Sequence, residues 1–124
     1  MRNIYTIQHI EEIQNDIYFS LNNNEQTLQL QPAEQLIADS DNEAFIYIVE
    51  ENGQYSYLSF PKAVWPGLVQ VIHNGCDPYL FSNIQLTNFC EELETLLWNI
   101  QGNDNYGEEF VQAVEDSFAV IFNA

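Results

Sequence analysis

The stretch AFIYIVEENGQYSYLSF, residues 44 to 60, sets two runs of β-branched and aromatic residues on either side of Asn52-Gly53. Both central positions of a type I′ turn need positive φ, and Asn-Gly adopts it at least cost. Counting outward from that turn places Val49 against Ser56, Tyr47 against Leu58 and Phe45 against Phe60 on one face, with Ile48 against Tyr57 on the other. Large side chains on both faces lead to the expectation of a central hairpin covered on both sides.

Upstream, DIYFSL (16–21) alternates Ile17, Phe19 and Leu21 with Tyr18 and Ser20, the pattern of a half-buried strand. Gln14-Asn15-Asp16 reads as a tight turn from a first strand near Asn3 to Ile10, and the Asn run at 22–24 as another turn. QTLQLQ (26–31) then sets Leu28 and Leu30 on one face. Downstream the period changes. KAVWPGLVQVIHNG (62–75) places Trp65, Leu68 and Ile72 on one helical face; Pro66 is tolerated only near the first turn, and Asn74-Gly75 stops the helix. PYLF (78–81) reads as a short strand. Phe89, Leu93, Leu96, Leu97 and Ile100 form a second apolar stripe, and Phe110, Val114, Phe118 and Ile121 a third. The expected fold is one α+β domain over 1–124. Its mostly antiparallel sheet comes from the N-terminal half (strands about 3–60), packed with about three helices (about 62–74, 88–101 and 105–122).

Nineteen acidic residues face only Arg2 and Lys62, a net charge of −17 at pH 7. Phosphate backbones and anionic membrane surfaces would be repelled, which argues against direct nucleic-acid or membrane binding. The 46% hydrophobic and 14% aromatic content nonetheless supplies a packed core. MRNIYTIQHI (1–10) has no signal-peptide pattern and no run approaches a membrane span, so a cytoplasmic protein is expected. Cys76 and Cys90 have no zinc spacing; one disulfide or two free thiols both fit, and free thiols in a reducing cytosol are the simpler reading.

NIQGNDNYGEEFVQAVEDSF (99–118) is the seam between the last two helices. Gly102 stands where a left-handed residue past a helix end is wanted. Asn105, with Glu108 three residues on, resembles a capping box, and Glu108 and Glu109 complement the helix dipole. The competing reading joins Asp104, Glu108 and Glu109 to Asp39 and Asp41 of ADSDNEAF (38–45) as an oxygen-rich divalent-metal site. An EF-hand loop it is not: Glu43 replaces the third ligand and Ala44 the glycine, and an Asx-type turn accounts for the segment. His9 and His73 are each isolated in sequence. Cys90 near a helix start is a weak nucleophile candidate, because Glu91 and Glu92 oppose a thiolate. No phosphate-cradling loop, cofactor motif or catalytic constellation is present, and the cations that usually stabilise anionic transition states are missing.

LIADSDNEAFIYI (36–48), VWPGL (64–68) and EELETLLWNIQGNDNYGEEFVQAVEDSF (91–118) together resemble an uncharacterised family of small acidic cytosolic proteins from low-GC Gram-positive bacteria, the YjbL-like proteins. The resemblance is most specific at residues 39–42 and 103–110 and weakest over 72–84. It implies a bacterial cytosolic setting and carries no catalytic residue.

These readings favour a non-catalytic protein-binding or regulatory module without a cofactor. Its acidic surface (Asp39, Asp41, Asp104, Glu108, Glu109 and Glu115) would dock a basic protein partner. Two alternatives stay open on sequence. One is a DNA mimic with carboxylate rows at Glu91, Glu92, Glu94 and at Glu108, Glu109, Glu115, Asp116; the other is a metal-dependent enzyme using Asp39 and Asp41 with Asp104 and Glu108. A homodimer through exposed Tyr and Trp is also compatible with the composition.

Overall fold

The computed structural model describes residues 3–21 and 28–124. Five long strands come first: β1 (Ile4–Ile13), β2 (Asp16–Leu21), β3 (Gln31–Asp39), β4 (Ala44–Glu51) and β5 (Gln54–Pro61). After α1 (Trp65–Asn74) come the two-residue strands β6 (Tyr79–Leu80) and β7 (Ile84–Gln85). Then follow α2 (Phe89–Ile100), α3 (Glu108–Ser117) and the short α4 (Ala119–Phe122). One sheet runs β3-β4-β5-β1-β2-β6-β7, antiparallel except at β5–β1 and β2–β6. The architecture is α+β, as the change of period implied.

All four pairs counted from Asn52-Gly53 are present. Asn52 and Gly53 have φ of 54° and 78°, as the turn demands. Gln14-Asn15 makes a second two-residue turn, with φ of 51° and 73°, and sets Ile13 opposite Asp16. β1 serves two neighbours. Ile4–Thr6 run parallel to β5, while from Ile7 onward the strand is antiparallel to β2, with a bulge between Ile7 and His9. The Asn run at 22–24 lies outside the described residues. Leu28 and Leu30 precede β3 in irregular backbone, yet Leu30 is buried and Leu28 packs against the core.

Helices α1, α2 and α3 pack on the same face of the sheet. Phe45 meets Trp65 of α1 and Phe110 of α3 at ring separations of 5.2 and 6.0 Å, and Phe118 at 6.1 Å. Phe89 of α2 meets Tyr47 and Phe60, each at 5.2 Å. The opposite face has no helical layer among the described residues, which corrects the expectation of cover on both sides. Ile46 and Ile48 are shielded there by neighbouring strands, and Ile46, though buried, stands outside the core cluster. Large residues on both faces had implied two layers of cover; lateral packing of β-branched neighbours supplies part of that burial instead.

The helix boundaries follow their caps. A 3₁₀ turn at Lys62–Val64 precedes α1, which carries Pro66 in its first turn. The Phe89, Leu93, Leu97 and Ile100 stripe of α2 is fully buried. The expected capping box at Asn105 does not form. Asn103 accepts the Asn105 N–H at 3.1 Å, and residues Asp104–Tyr106 close a 3₁₀ turn. α3 then starts from Gly107, whose φ of 94° and ψ of 133° suit glycine alone. The expected 105–122 helix is therefore α3 and α4, parted at Phe118.

Ser56 faces the core at the end of the hairpin, and a buried hydroxyl needs a partner. It donates to Glu51 at 3.0 Å, as do Tyr5 at 2.8 Å and Asn3 at 3.1 Å. Burial pushes the Glu51 carboxyl up, but these three donors more than offset it and hold it below the ordinary carboxylate value. A group with a lowered folded pKa stabilises the protein above its unfolded value, and that stabilisation is lost as pH falls through the folded pKa. Glu51→Gln is thus expected to lower Tm at pH 7, with the difference from wild type shrinking as the pH drops below about 4.3. A Tm difference independent of pH would refute the assignment.

Candidate functional site

The two acidic turns meet. The β3–β4 connection is a 3₁₀ turn at Ser40–Asn42, pinned by the Asn42 amide donating to Asp39 at 2.9 Å. Glu43 leaves it in the left-handed region, φ 49°, immediately before β4 begins at Ala44. The start of α3 lies alongside. Between them is a cavity of about 420 Å³ lined by Asp41, Glu43, Glu108 and Glu109 together with Tyr106 and Phe110. A second hollow of about 500 Å³ shares Glu43, Glu108 and Glu109 and adds Lys62 and Asp116. We call this double hollow the acidic cradle.

Three of the six residues expected at a partner site, Asp41, Glu108 and Glu109, are therefore brought together. The other three do not line the cradle. Asp39 accepts the Asn42 amide, and Glu115 accepts the Gly102 N–H at 2.8 Å, tying α3 to the end of α2. Asp104 is exposed in its 3₁₀ turn. Sequence reasoning missed Glu43 as a member because it was weighed only as a mismatch to a metal loop. The local sign was its place between Asn42 and the buried Ala44, where a chain turning into a central strand leaves one side chain outside.

The cradle concentrates negative field without forming a coordination sphere. Among the described residues, no group of three or more His, Cys, Asp or Glu side chains is placed to hold a metal ion. Carboxylates lining one hollow attract cationic side chains.

The α2 carboxylates belong to other surroundings. Glu92 accepts the Leu36 N–H at 3.2 Å and so covers the edge strand β3, an arrangement that blunts strand pairing with other chains. Glu91 and Glu94 border a separate cavity of about 490 Å³ with Glu34, Asp77 and Cys90. The carboxylate rows of α2 and α3 thus line different hollows. Burial pushes the Cys90 thiol up, and the charges of Asp77 and Glu94 and the nearby Cys76 add to it, so a thiolate nucleophile is disfavoured. Both cysteines are free thiols. Among the described residues, no helix is long and apolar enough to cross a membrane.

A family model described as a family of unknown function (UPF0738) matches residues 5–118. A UPF0738 protein of Lysinibacillus sphaericus is 52% identical over 124 residues, covering 98% of each chain. One from Bacillus cereus strain G9842 is 35% identical over 122 residues, covering 95% of this chain and 99% of its own. A third, from Staphylococcus epidermidis, is 41% identical over 96 residues, 76% of this chain and 80% of its own. No solved structure matches the chain. The sources are low-GC Gram-positive bacteria, as the resemblance implied, and the chain belongs to UPF0738, a family of unknown function.

Proposed function

We propose that the protein is a non-catalytic, cytoplasmic protein-binding module whose acidic cradle docks a cationic segment of a partner protein. One observation carries the reading: Asp41, Glu43, Glu108 and Glu109, from two turns far apart in sequence, share one cavity. A field of that sign speeds encounter with basic surfaces and selects against acidic ones.

The test compares wild type with the quadruple variant D41N/E43Q/E108Q/E109Q, each immobilised and exposed to a Gram-positive lysate. All four side chains are on the surface, so stability should change by no more than about 0.5 kcal/mol per site. Wild type should retain one basic protein that is released as ionic strength rises past about 0.1 M, where the Debye length falls to about 10 Å. The variant should retain at least tenfold less. Equal retention by both, or no reproducible partner for wild type, would refute the proposal.

A further inference from the structure

We infer that the helix-free face of the sheet is a second docking surface, and that its occupant is a cationic amphipathic helix of the partner protein; this inference rests on the partner-binding reading above. The register decides what that face presents. With Phe45, Tyr47, Leu58 and Phe60 turned to the helices, Ile46, Ile48 and Tyr55 point the other way, as do Ile37 of β3 and Ile4 of β1. Ile4 is 64% exposed, Tyr55 50% and Ile37 46%, so an apolar band crosses four adjacent strands with no helix above it among the described residues. Isolated exposed apolar residues are ordinary, but a contiguous band marks an interaction site. Beside it on β1 and β2 the same face hollows into a cavity of about 660 Å³ bordered by His9, Glu11, Ile13 and Tyr18.

Charge and size choose the occupant. The face carries Glu11, Asp16, Asp39 and Glu50, and no Lys or Arg among the described residues. A second copy would oppose those carboxylates with its own, in a pair of chains each at −17. Its area is also short. Four strands of about eight residues cover roughly 500 Å², against the ~800 Å² per partner of a stable interface. Three inter-strand gaps span about 14 Å, which matches the ~10–12 Å diameter of one helix. Pairing along the sheet edge is the poorer alternative, since Glu92 occupies the Leu36 N–H of β3 and the other edge, β7, is two residues long. A helix with an apolar stripe and flanking Lys or Arg satisfies both the isoleucine band and its acidic border.

The probe is a 14-residue Lys/Leu amphipathic helix, with a Glu/Leu peptide of the same pattern as control, titrated into ¹⁵N-labelled protein at physiological salt. Saturable shifts should appear at Ile4, Ile37, Ile46, Ile48 and Tyr55 with the Lys/Leu peptide, and not with the control. I4S/I37S removes an apolar side chain from each side of the band and should weaken binding about tenfold, while the cradle variant D41N/E43Q/E108Q/E109Q should change it by less than about threefold. Both serine positions are already exposed, and an unchanged spectrum confirms the fold. Shifts confined to the cradle, with binding lost in the cradle variant, would overturn this inference and leave the proposed function standing. Binding unaffected by I4S/I37S, equal binding of the Glu/Leu peptide, or sedimentation showing face-to-face dimers would also overturn it. No saturable binding at either surface would overturn it as well, whereas the cradle reading stands or falls on its own lysate comparison.

Discussion

Replacing Trp65 by Ala is expected to destabilise the protein by about 3–5 kcal/mol, the range for truncating a fully buried large aromatic. Trp65 is inaccessible to solvent and sits among Phe45, Phe110 and Phe118 at ring separations of 5.2, 6.1 and 5.8 Å. It thus joins the sheet to α3 and to the break before α4. Its indole N–H also donates to the Phe60 carbonyl at 2.9 Å, where β5 ends. Ala would leave a cavity that the surrounding rings fill only in part, along with a carbonyl lacking its donor. Trp65→Phe separates the two effects, since it keeps most of the apolar contact and should cost only about 1–2 kcal/mol. Urea unfolding followed by far-UV circular dichroism reads both, as a lower midpoint at unchanged slope. A midpoint for Trp65→Ala within error of wild type would mean the rings do not pack this way.

Asp77→Ala should cost about 2–3 kcal/mol through loss of the α2 cap. Asn88, at the cap position, is left-handed (φ 63°) and its side chain caps no helix N–H. Asp77 supplies the cap from outside the helix, accepting the Asn88 N–H at 3.0 Å and the Cys90 N–H at 2.9 Å. Its charge also complements the helix dipole. Phe89, the first residue of α2, packs on Phe19, Tyr47 and Phe60, so fraying of this turn reaches the core directly. Hydrogen exchange at the first-turn amides of α2 should accelerate more than exchange in β4. Asp77→Asn, which keeps one acceptor oxygen, should lose less. Exchange unchanged in α2 would assign the cap elsewhere.

The fold was legible wherever one local rule sufficed. Asn52-Gly53 gave the hairpin register to the residue, and the Phe89–Ile100 stripe gave α2. Rules spanning distant segments were not legible. Asp77 is eleven residues before Asn88, and no local cap motif points back to it. The coverage of β4 was misjudged because a large residue shielded by lateral neighbours reads the same in sequence as one buried under a helix. The capping box failed because Asn103, two residues upstream of Asn105, competed for its N–H and won a 3₁₀ turn. Within the acidic cradle, Asp41, Glu108 and Glu109 were readable as members of acidic turns, but their meeting depends on β3–β4 ending beside the start of α3. Only the tertiary arrangement reports that.

The one-sided sheet has a consequence for how the protein is made. All five long strands precede every helix that covers them. At synthesis rates of about 5–20 residues per second, the interval between Phe60 and Phe118 lasts roughly 3–12 s. Tyr47 and Phe60 lack their α2 cover until Phe89 is made, and Phe45, which meets Trp65 early, lacks Phe110 and Phe118 until the end of that interval. Its yield should therefore be more sensitive to translation speed across residues 61–118 than to speed through the strands.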